Sequence, residues 1–397
     1  MRLKKTVALA LVTAMAATMA AGCGSSSSDK GSAAPESTAA GSEAAGGEAD
    51  SKETEKGAAS GEKQKLTVSV WDNDATPQFT SVTKAFMEKY PDVEVEYIDA
   101  PSDEYANKVT VMLAGGDADP DVIFIKDTEN QVTMKDKGQI LNLDEYIAKD
   151  GVDLSAFKGL TDQIKVEDKL YELPFRSDFW VVFYNKDIFD AAGVDYPTND
   201  MTFEQYDALA RSVTNDMPGQ EVYGAHYHTW RSAVQLFGIL DGKNSIIDGN
   251  YDFLKPYYEM ILAEQEDGVC QDYATLKTSN LHYSGAFSQG NVAMMNMGTW
   301  FISTLIDKVK AGEYTDCGNW GMVKYPHAEG VEPGSTLATI TSLAIPTTAK
   351  DKDMSWDFVK FVCGEEGADI LASTGTIPAI MTDDIANMVA SIEGFPA

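Results

Sequence analysis

The apolar positions after residue 64 switch between the spacing of a strand and the spacing of a helix. Every second residue is apolar over 66–70 and again over 93–97, which predicts a strand at each place. Between the two strands the apolar residues recur at the spacing of one helical face, as Phe79, Val82 and Phe86. Thr76 and Pro77 predict where that helix begins, with the threonine hydroxyl as its cap.

A second helix and a buried strand continue the alternation. The helix is predicted from about residue 103 to the glycines at 115–116, and an apolar run follows over 121–125. The order strand, helix, strand, helix, strand predicts a parallel sheet with right-handed crossovers. Ligands of such sheets bind beyond the carboxyl ends of the strands. Here those ends are followed by polar residues at 72–74 and 126–127.

The beginning of the chain predicts export. Residues 2–5 carry three positive charges, and the apolar stretch over 6–19 is shorter than a membrane-spanning helix. Small residues then lead to Cys23. This order resembles the signal of bacterial lipoproteins, in which cleavage exposes a cysteine that is acylated. We therefore expect a signal peptide over 1–22 and lipidation at Cys23, and the alternative is an ordinary signal peptide with an unrelated cysteine.

Residues 23–64 are predicted to be a lipidated cysteine followed by a disordered tether. After Cys23 this segment contains no Val, Ile, Leu, Met, Phe, Trp, Tyr or Cys, so it cannot bury enough apolar surface to offset its ordering entropy. The whole chain has a net charge of −31, which excludes a nucleic-acid binder that relies on a basic face. Solubility explains most of this charge, and a cationic ligand stays an open alternative.

The cysteine and histidine contents do not favour a metal centre or a disulfide scaffold. Four cysteines in 397 residues form no Cys-x-x-Cys pair, and the four histidines include no His-Glu-x-x-His motif. We therefore expect no metal and no cofactor. His226 and His228 are interpreted as surface or ligand hydrogen-bonding groups. At least one of Cys270, Cys317 and Cys363 has no partner within the chain, because their number is odd once Cys23 is acylated.

Several segments, in this order and spacing, resemble the extracellular solute-binding proteins of ABC importers, in particular the sugar-binding branch that includes the maltose-binding type. Together they cover nearly all of 65–380. The segments are AFMEKYP at 85–91, VEVEYI at 93–98, LAGGDADPDVIFI at 113–125, LPFRSDFWVVFYNKDIFDAAGVDYPTNDMTFEQY at 173–206, AFSQGNVAMMNMGTW at 286–300, LAIPTTAKDKDMSWDFVKFV at 343–362 and GTIPA at 375–379.

The resemblance implies a two-lobed, periplasmic-binding-protein-like α/β fold with a hinged cleft between the lobes. Each lobe would be a mostly parallel sheet flanked by helices. Residues 65–175 are assigned to the first part of lobe I, 176–330 to lobe II, and 331–397 to the return to lobe I and the C-terminal segment. The implied function is capture of a sugar or oligosaccharide in the cleft and its delivery to an ABC permease.

The same resemblance predicts a monomer without enzymatic activity that binds no nucleic acid. It would be held on the outer face of the cell membrane by its lipid anchor alone, or in the periplasm if the host has an outer membrane. Sugar rings stack on aromatic side chains, and their hydroxyls pair with carboxylates, amides and Arg. On this basis the candidate ligand-binding residues are Trp71, Asp72, Asn73, Lys126, Asp127, Arg176, Asp178, Trp230, Arg231 and Trp300.

Trp300 is the strongest of these candidates. It follows a strand predicted over 294–297, with Gly298 as the turn and Thr299 as the cap of the next helix. The buried face of that helix is predicted at Phe301, Leu305 and Val309. Trp300 lies off this face, which favours stacking on a ligand over packing in the core.

Alternatives remain for several of the other candidates. Trp71 is also suited to the core, and Arg176 could pair with Asp178 instead of a ligand. Lys126 and Asp127 could equally form a surface pair. Trp356 is expected to pack in a helix face.

Two other function classes also remain. One is a binder of a polyamine, a peptide or a metal chelate. The other is a surface-anchored glycoside hydrolase, for which Asp72 and Asp74 would have to face each other across a bond. No Gly-x-Ser-x-Gly elbow, Walker loop or zinc signature supports an enzyme.

Overall fold

The computed structural model describes residues 63–115, 119–126, 128–214 and 221–396. The predicted signal peptide, Cys23, Asp127 and nearly all of the tether lie outside these ranges. The described residues form an α/β fold in which one long strand belongs to two sheets. No helix among them has the length and apolarity needed to span a bilayer.

The elements of the described residues are as follows. The strands are β1 Gln64–Trp71, β2 Val93–Ala100, β3 Val122–Ile125, β4 Leu173–Asn185, β5 Tyr223–His226, β6 Val292–Gly298, β7 Trp320–Lys324 and β8 Ala338–Ala344. The helices are α1 Pro77–Lys89, α2 Tyr105–Leu113, α3 Gln131–Asp136, α4 Asp144–Asp150, α5 Leu160–Gln163, α6 Lys186–Ala192, α7 Phe203–Val213, α8 Ser232–Ile239, α9 Lys255–Glu266, α10 Tyr273–Ser279, α11 Tyr283–Ser288, α12 Phe301–Lys310, α13 Lys352–Cys363, α14 Glu365–Ser373 and α15 Asp383–Ala390.

The first sheet has the strand order β2-β1-β3-β8-β4. Strand β1 pairs in parallel with β2 and β3, while β8 runs antiparallel to both of its neighbours. Within this sheet, therefore, β8 is the one strand of reversed direction. The parallel β1, β2 and β3 confirm the alternation of strands and helices predicted over residues 66–125.

The second sheet is built on the far half of β4. From Trp180 onward β4 pairs with β6 on one side and β7 on the other, both antiparallel, and β5 adds in parallel to β6. Up to Phe179 the same strand pairs with β8 of the first sheet. The chain therefore passes from one sheet to the other without leaving extended backbone.

Each sheet has its own buried core. Around the first sheet, apolar residues of β1 and β3 pack with α1 and α13, and Trp356 is among them, as expected. Around the second sheet, one cluster includes Tyr206 and Phe237, and another lies between β6 and α12. Two cores in one chain account for the two-lobed α/β organisation.

The two predicted threonine caps are wrong in detail. Helix α1 begins at Pro77 as predicted, but the hydroxyl of Thr76 donates to the carbonyl oxygens of Trp71 and Asp72. Thr299 does not cap α12, because its hydroxyl donates to Asp178 Oδ1 at 3.0 Å. Both hydroxyls hold the turn that follows a strand. The partners of Thr76 lie four and five residues earlier in the chain, whereas the partner of Thr299 lies on a distant strand that local patterns do not show.

The three cysteines of the described residues are buried free thiols: Cys270, Cys317 and Cys363. Burial raises the pKa of each thiol above its usual range. They contribute to the cores as small apolar groups.

A buried carboxyl group lies in the core of the second sheet. Glu264 of α9 is fully buried, and burial together with the neighbouring Asp207 carboxylate raises its pKa to about 8. The unfolded chain ionises this group near its ordinary value of 4.5. The folded state therefore keeps a proton that the unfolded state has lost between these two pH values.

We expect the contribution of Glu264 to the free energy of unfolding to decrease as pH rises from about 4.5 to about 8, and Glu264→Gln to remove that contribution. The amide keeps the size and hydrogen-bonding capacity of the protonated acid without its ionisation. The measurement is the thermal midpoint of both proteins between pH 5 and pH 9. The control is Glu259→Gln, an exposed position of the same helix, and equal pH slopes for wild type and Glu264→Gln would contradict the prediction.

Candidate functional site

The turn after β1 brings a carboxylate to the edge of the first sheet. Asp72 has a left-handed backbone conformation, with φ of 45°, which Asp tolerates better than most residues. Its Oδ1 accepts a hydrogen bond from the backbone N–H of Ser102 at 3.0 Å, so the loop after β2 fixes its orientation. Its Oδ2 lies 3.6 Å from Nε2 of His282, which belongs to the second lobe.

Lys126 follows β3 and contacts aromatic rings of both lobes. Its Nζ lies 5.8 Å from the ring centre of Trp71 and 5.3 Å from that of Trp230. The same nitrogen donates to the carbonyl oxygen of Ser102 at 3.0 Å. A cation over two indole rings is an attractive contact that strengthens as water is excluded.

Arg176 and Asp178 form a buried ion pair on β4, shortly before this strand enters the second sheet. Arg176 Nε lies 3.1 Å from Asp178 Oδ2, and the two residues are 4% and 1% exposed. The register of β4 against β8 shifts between Pro174 and Arg176, and such a bulge re-aims the side chains that follow it. Burial raises the pKa of the Asp178 carboxyl, although the charge of Arg176 and the hydroxyl of Thr299 act in the other direction.

The guanidinium group of Arg176 is only partly satisfied by the protein. Its Nε also donates to Thr341 Oγ1 at 3.3 Å, and its carbon atom Cζ lies 6.0 Å from the ring centre of Trp71. Its Nη1 is buried and has no hydrogen-bond acceptor among the described residues. An unsatisfied guanidinium nitrogen is unfavourable in a protein interior, so this atom is a strong candidate for contact with a ligand.

Three tryptophans meet at one edge of the second sheet: Trp180 lies on β4, and Trp230 and Trp300 follow the ends of β5 and β6. The ring centres of Trp180 and Trp300 are 5.7 Å apart, and those of Trp230 and Trp300 are 6.1 Å apart. Trp180 pairs in register with Gly298 across the sheet. A Cβ atom at Gly298 would overlap the Trp300 ring. Glycine, which has no Cβ, is therefore needed at position 298 to leave room for that ring.

Two histidines lie beside Trp230. The ring centres of His228 and Trp230 are 4.6 Å apart at right angles, and His282 lies 6.1 Å from His228. Burial lowers the pKa of His228 to about 3, with contributions from neighbouring positive charges, and that of His226 to about 4. Both rings are therefore neutral at physiological pH, and the Nδ1 of His228 has no partner among the described residues.

A cavity of about 470 Å³ lies between these groups. One wall carries carboxylates of the first lobe: Asp72, Asp74, Asp99 and Asp103. The opposite wall comes from the second lobe and includes His228, Trp230, Lys277, His282 and Tyr314. The ends of β1 and β2 thus face the end of β5 and the segment from α10 to α11, as expected for a cleft between two sheets.

The structure places the predicted residues unequally. Asp72 and Trp230 line the cavity, while Asn73 lies in the turn beside it, half buried. A layer behind the cavity wall contains Trp71, Lys126, Arg176, Asp178 and Trp300, all in contact with one another or with Trp230. Arg231 lines a separate cavity on the second lobe. Asp127 lies outside the described residues.

Sequence reasoning did not select several residues of the site. Trp180 lies two residues after Asp178 on β4, and alternate residues of a strand point to the same face. This spacing is a signal that could have placed Trp180 on the face of Asp178. Asp99 lies near the end of β2, a position of the same kind as the other strand ends. Asp103 and His282 precede helices, and no local signal marks them. No group of three His, Cys, Asp or Glu side chains in the described part of the chain is placed to hold a metal ion.

We expect the stability of the protein to depend on pH through His226 and His228. The unfolded chain binds protons on both rings near pH 6.5, whereas the folded protein does so only near pH 4 and pH 3. The contribution of these two rings to the free energy of unfolding should therefore decrease as pH falls from 6.5 towards 4, and His226→Asn or His228→Asn should make that decrease smaller. The measurement is the thermal midpoint against pH. Because lost packing lowers the midpoint at every pH, the slope is the readout, and an unchanged slope in both variants would contradict the assignment.

The chain is similar to known proteins in both sequence and structure. The model of the bacterial extracellular solute-binding protein family matches residues 72–369. A sugar transporter of Rhizobium etli, crystallised in an open conformation, is 46% identical, with 84% of each chain covered and a TM-score of 0.65.

Two more distant proteins agree with this result. An ABC substrate-binding protein of Listeria monocytogenes, solved with cycloalternan, has the same fold with a TM-score of 0.70 and 22% identity, covering 83% of this chain and 84% of that one. An ABC transporter extracellular-binding protein of Pyrococcus horikoshii is 22% identical over 361 residues, which is 82% of this chain and 77% of its own. Because the family match spans most of the chain, the protein belongs to the bacterial extracellular solute-binding proteins.

Proposed function

We propose that this protein captures a sugar or oligosaccharide in the cleft between its lobes and delivers it to the permease of an ABC transporter. The observation that supports this most is the composition of the cleft. Carboxylates face a neutral imidazole and the edge of a tryptophan cluster across one cavity of about 470 Å³. The Rhizobium etli relative is a sugar transporter, and the Listeria monocytogenes protein binds cycloalternan, which is consistent with a carbohydrate ligand.

The two walls suit the two kinds of surface on a sugar ring. Sugar hydroxyls donate hydrogen bonds to carboxylates such as Asp72 and Asp103, and the apolar ring faces stack on indoles such as Trp230. A neutral imidazole at His228 both donates and accepts, so it pairs with a hydroxyl in either orientation. Closure of the lobes would exclude water and strengthen each of these contacts.

The buried layer behind the cavity is proposed to complete the site when the lobes separate and close on a ligand. Arg176 has a buried nitrogen available for an acceptor, and Lys126 already contacts indoles of both lobes. The proposed ligand-binding set is the one predicted from the sequence, with Trp180 and His228 added. Arg231 is retained for a different part of the ligand.

The domain boundaries, the anchor and the partners complete the proposal. Residues 65–175 and 331–397 would form lobe I, and residues 176–330 lobe II. Residues 1–22 would direct export, and lipid on Cys23 would hold a monomer on the outer face of the membrane through the tether at 24–64. The protein would bind and release its ligand unchanged, without catalysis.

A polyamine is the second candidate ligand. Four carboxylates line one wall of the cavity, against one lysine on the opposite wall. Burial is the main cause of the raised pKa of the Asp99 carboxyl, and the negative charges of Asp72 and Asp74 raise it further. A bound cation would therefore relieve repulsion within this wall.

The first experiment is thermal unfolding of the head, residues 65–397, with a panel of mono- and oligosaccharides and with polyamines and peptides for comparison. A ligand that binds only the folded state stabilises it by roughly 2.7 kcal/mol at a hundredfold excess over its dissociation constant. We expect a raised midpoint with one class of sugar. A raised midpoint with polyamines alone would keep the binding role and discard the sugar.

We expect Trp300→Ala to weaken sugar binding by about 1–3 kcal/mol, which is roughly 5- to 150-fold in the dissociation constant. Gly298→Ala should weaken binding in the same direction, because the added methyl group displaces the Trp300 ring. Gly318→Ala is the matched control, since a Cβ there meets only ordinary contacts. Titration calorimetry measures the affinities. An unchanged affinity in a folded Trp300→Ala protein would remove Trp300 from the site.

A further inference from the structure

A second cavity, of about 520 Å³, lies on lobe II outside the cleft. We call it the outer tyrosine pocket. It is formed by the outer face of α8, the start of α9 and the two short 3-10 turns between them. Its lining residues are Arg231, Gln235, Ile246, Tyr251, Asp252, Leu254, Lys255 and Tyr258.

The surface around this pocket is unusually apolar for an exposed one. Five of the twelve most exposed large apolar side chains of the described residues lie within 246–262: Ile246, Ile247, Tyr251, Tyr258 and Leu262. Tyr251 is 58% exposed and Tyr258 is 38% exposed, and both border the pocket. Clustered exposure of this kind marks a binding surface more often than scattered single residues do.

The polar groups of the pocket identify the chemistry of its ligand. Arg231, Gln235, Asp252 and Lys255 surround the two tyrosines with donors and acceptors. Gln235 Nε2 donates to the hydroxyl of Tyr258 at 3.4 Å, and Arg231 forms no ion pair within the described residues. Aromatic faces bordered by planar hydrogen-bonding groups suit a sugar ring, whose faces are apolar and whose rim consists of hydroxyls.

The walls of the pocket are fixed by close packing beneath it. Gly238 of α8 lies so near to Phe253, Leu254 and Tyr257 that a Cβ atom there would press against all three side chains. Phe237 and Tyr257 also stack, with ring centres 6.1 Å apart. The pocket is therefore a preformed concavity, and a preformed site loses less entropy on binding than a mobile surface does.

The cleft and the outer tyrosine pocket are lined by two consecutive residues of the chain. Trp230 lines the cleft cavity and Arg231 lines the outer pocket, immediately before α8 begins. Consecutive Cα atoms are only about 3.8 Å apart, so the two cavities adjoin the same point of the backbone. The start of α8 is therefore the place where an extended ligand would have to pass from the cleft to the outer pocket.

We infer that the outer tyrosine pocket is a second carbohydrate subsite, which binds the distal residues of an oligosaccharide whose first residues lie in the cleft. This inference rests on the proposed function of the cleft. It assigns Arg231 a role outside the cleft. It also implies that affinity increases with the length of the saccharide until both cavities are filled.

The test is titration calorimetry of the head with linear malto- and manno-oligosaccharides of two to six residues. The variant is the double substitution Tyr251→Ala and Tyr258→Ala, and the control is Tyr273→Ala, an exposed tyrosine of α10 that lines neither cavity. For the longest saccharide that binds, we expect the double variant to lose roughly fivefold or more in affinity. The shortest one should bind both proteins equally, and the control should behave as wild type.

The other outcomes overturn the inference in distinguishable ways. If wild type and double variant bind every length equally, the subsite is absent while the cleft remains a sugar site. If the double variant binds sugars normally but fails to stimulate ATP hydrolysis by its transporter in proteoliposomes, the surface contacts the permease instead. If wild type binds no saccharide of any length, the proposed function of the cleft fails and the subsite with it. Hydrogen exchange provides a second readout, since only long saccharides should protect residues 246–258.

Discussion

Strand β4 is the constraint on which the rest of the structure depends. It is thirteen residues long and forms part of both sheets. Its backbone hydrogen bonds therefore join the two sheets into one continuous series of paired strands. The ion pair of Arg176 with Asp178 lies at the crossing. A buried ion pair is tolerated only where hydrogen bonds and geometry offset its desolvation, and here Thr299 and Thr341, one from each side of the crossing, supply these bonds.

The ion pair links aromatic groups of the two lobes through β4. Asp178 is held by the hydroxyl of Thr299, whose neighbour Trp300 belongs to the aromatic cluster of lobe II. Arg176 lies over Trp71 at the end of β1 in lobe I. A ligand that contacts Trp71 is therefore coupled to β4 through Arg176, and one that contacts Trp300 is coupled to β4 through Thr299 and Asp178. Further hydrogen bonds join α12 to the other lobe, between Ser303 and Gln78 of α1 and between Thr304 and the backbone of Ala75 in the turn before α1.

The charges of the cleft are arranged by lobe. Lobe I contributes carboxylates, and lobe II contributes the neutral His228, Trp230, His282 and Lys277. Contacts across the cleft already link the two sides, namely His282 with Asp72 at 3.6 Å and Lys277 with Asp103 at 3.7 Å. A closed arrangement is therefore favoured by charge as well as by packing, and a polar ligand would replace or bridge these contacts.

The sequence by itself determined the class of fold and the strand ends that carry the site. Alternation at β1 and β2 and helical spacing in α1 are local patterns, because burial of one face requires a fixed period along a strand or helix. The position of Trp300 directly before α12 is also visible from the local sequence. Only the tertiary structure decided which of these residues meet. Asp178 engages Thr299 across 121 positions of sequence, and Arg231 turns to a different cavity from Trp230 although the two are neighbours. Spacing along the chain fixes the face of an element, whereas the partner of that face depends on how distant elements pack.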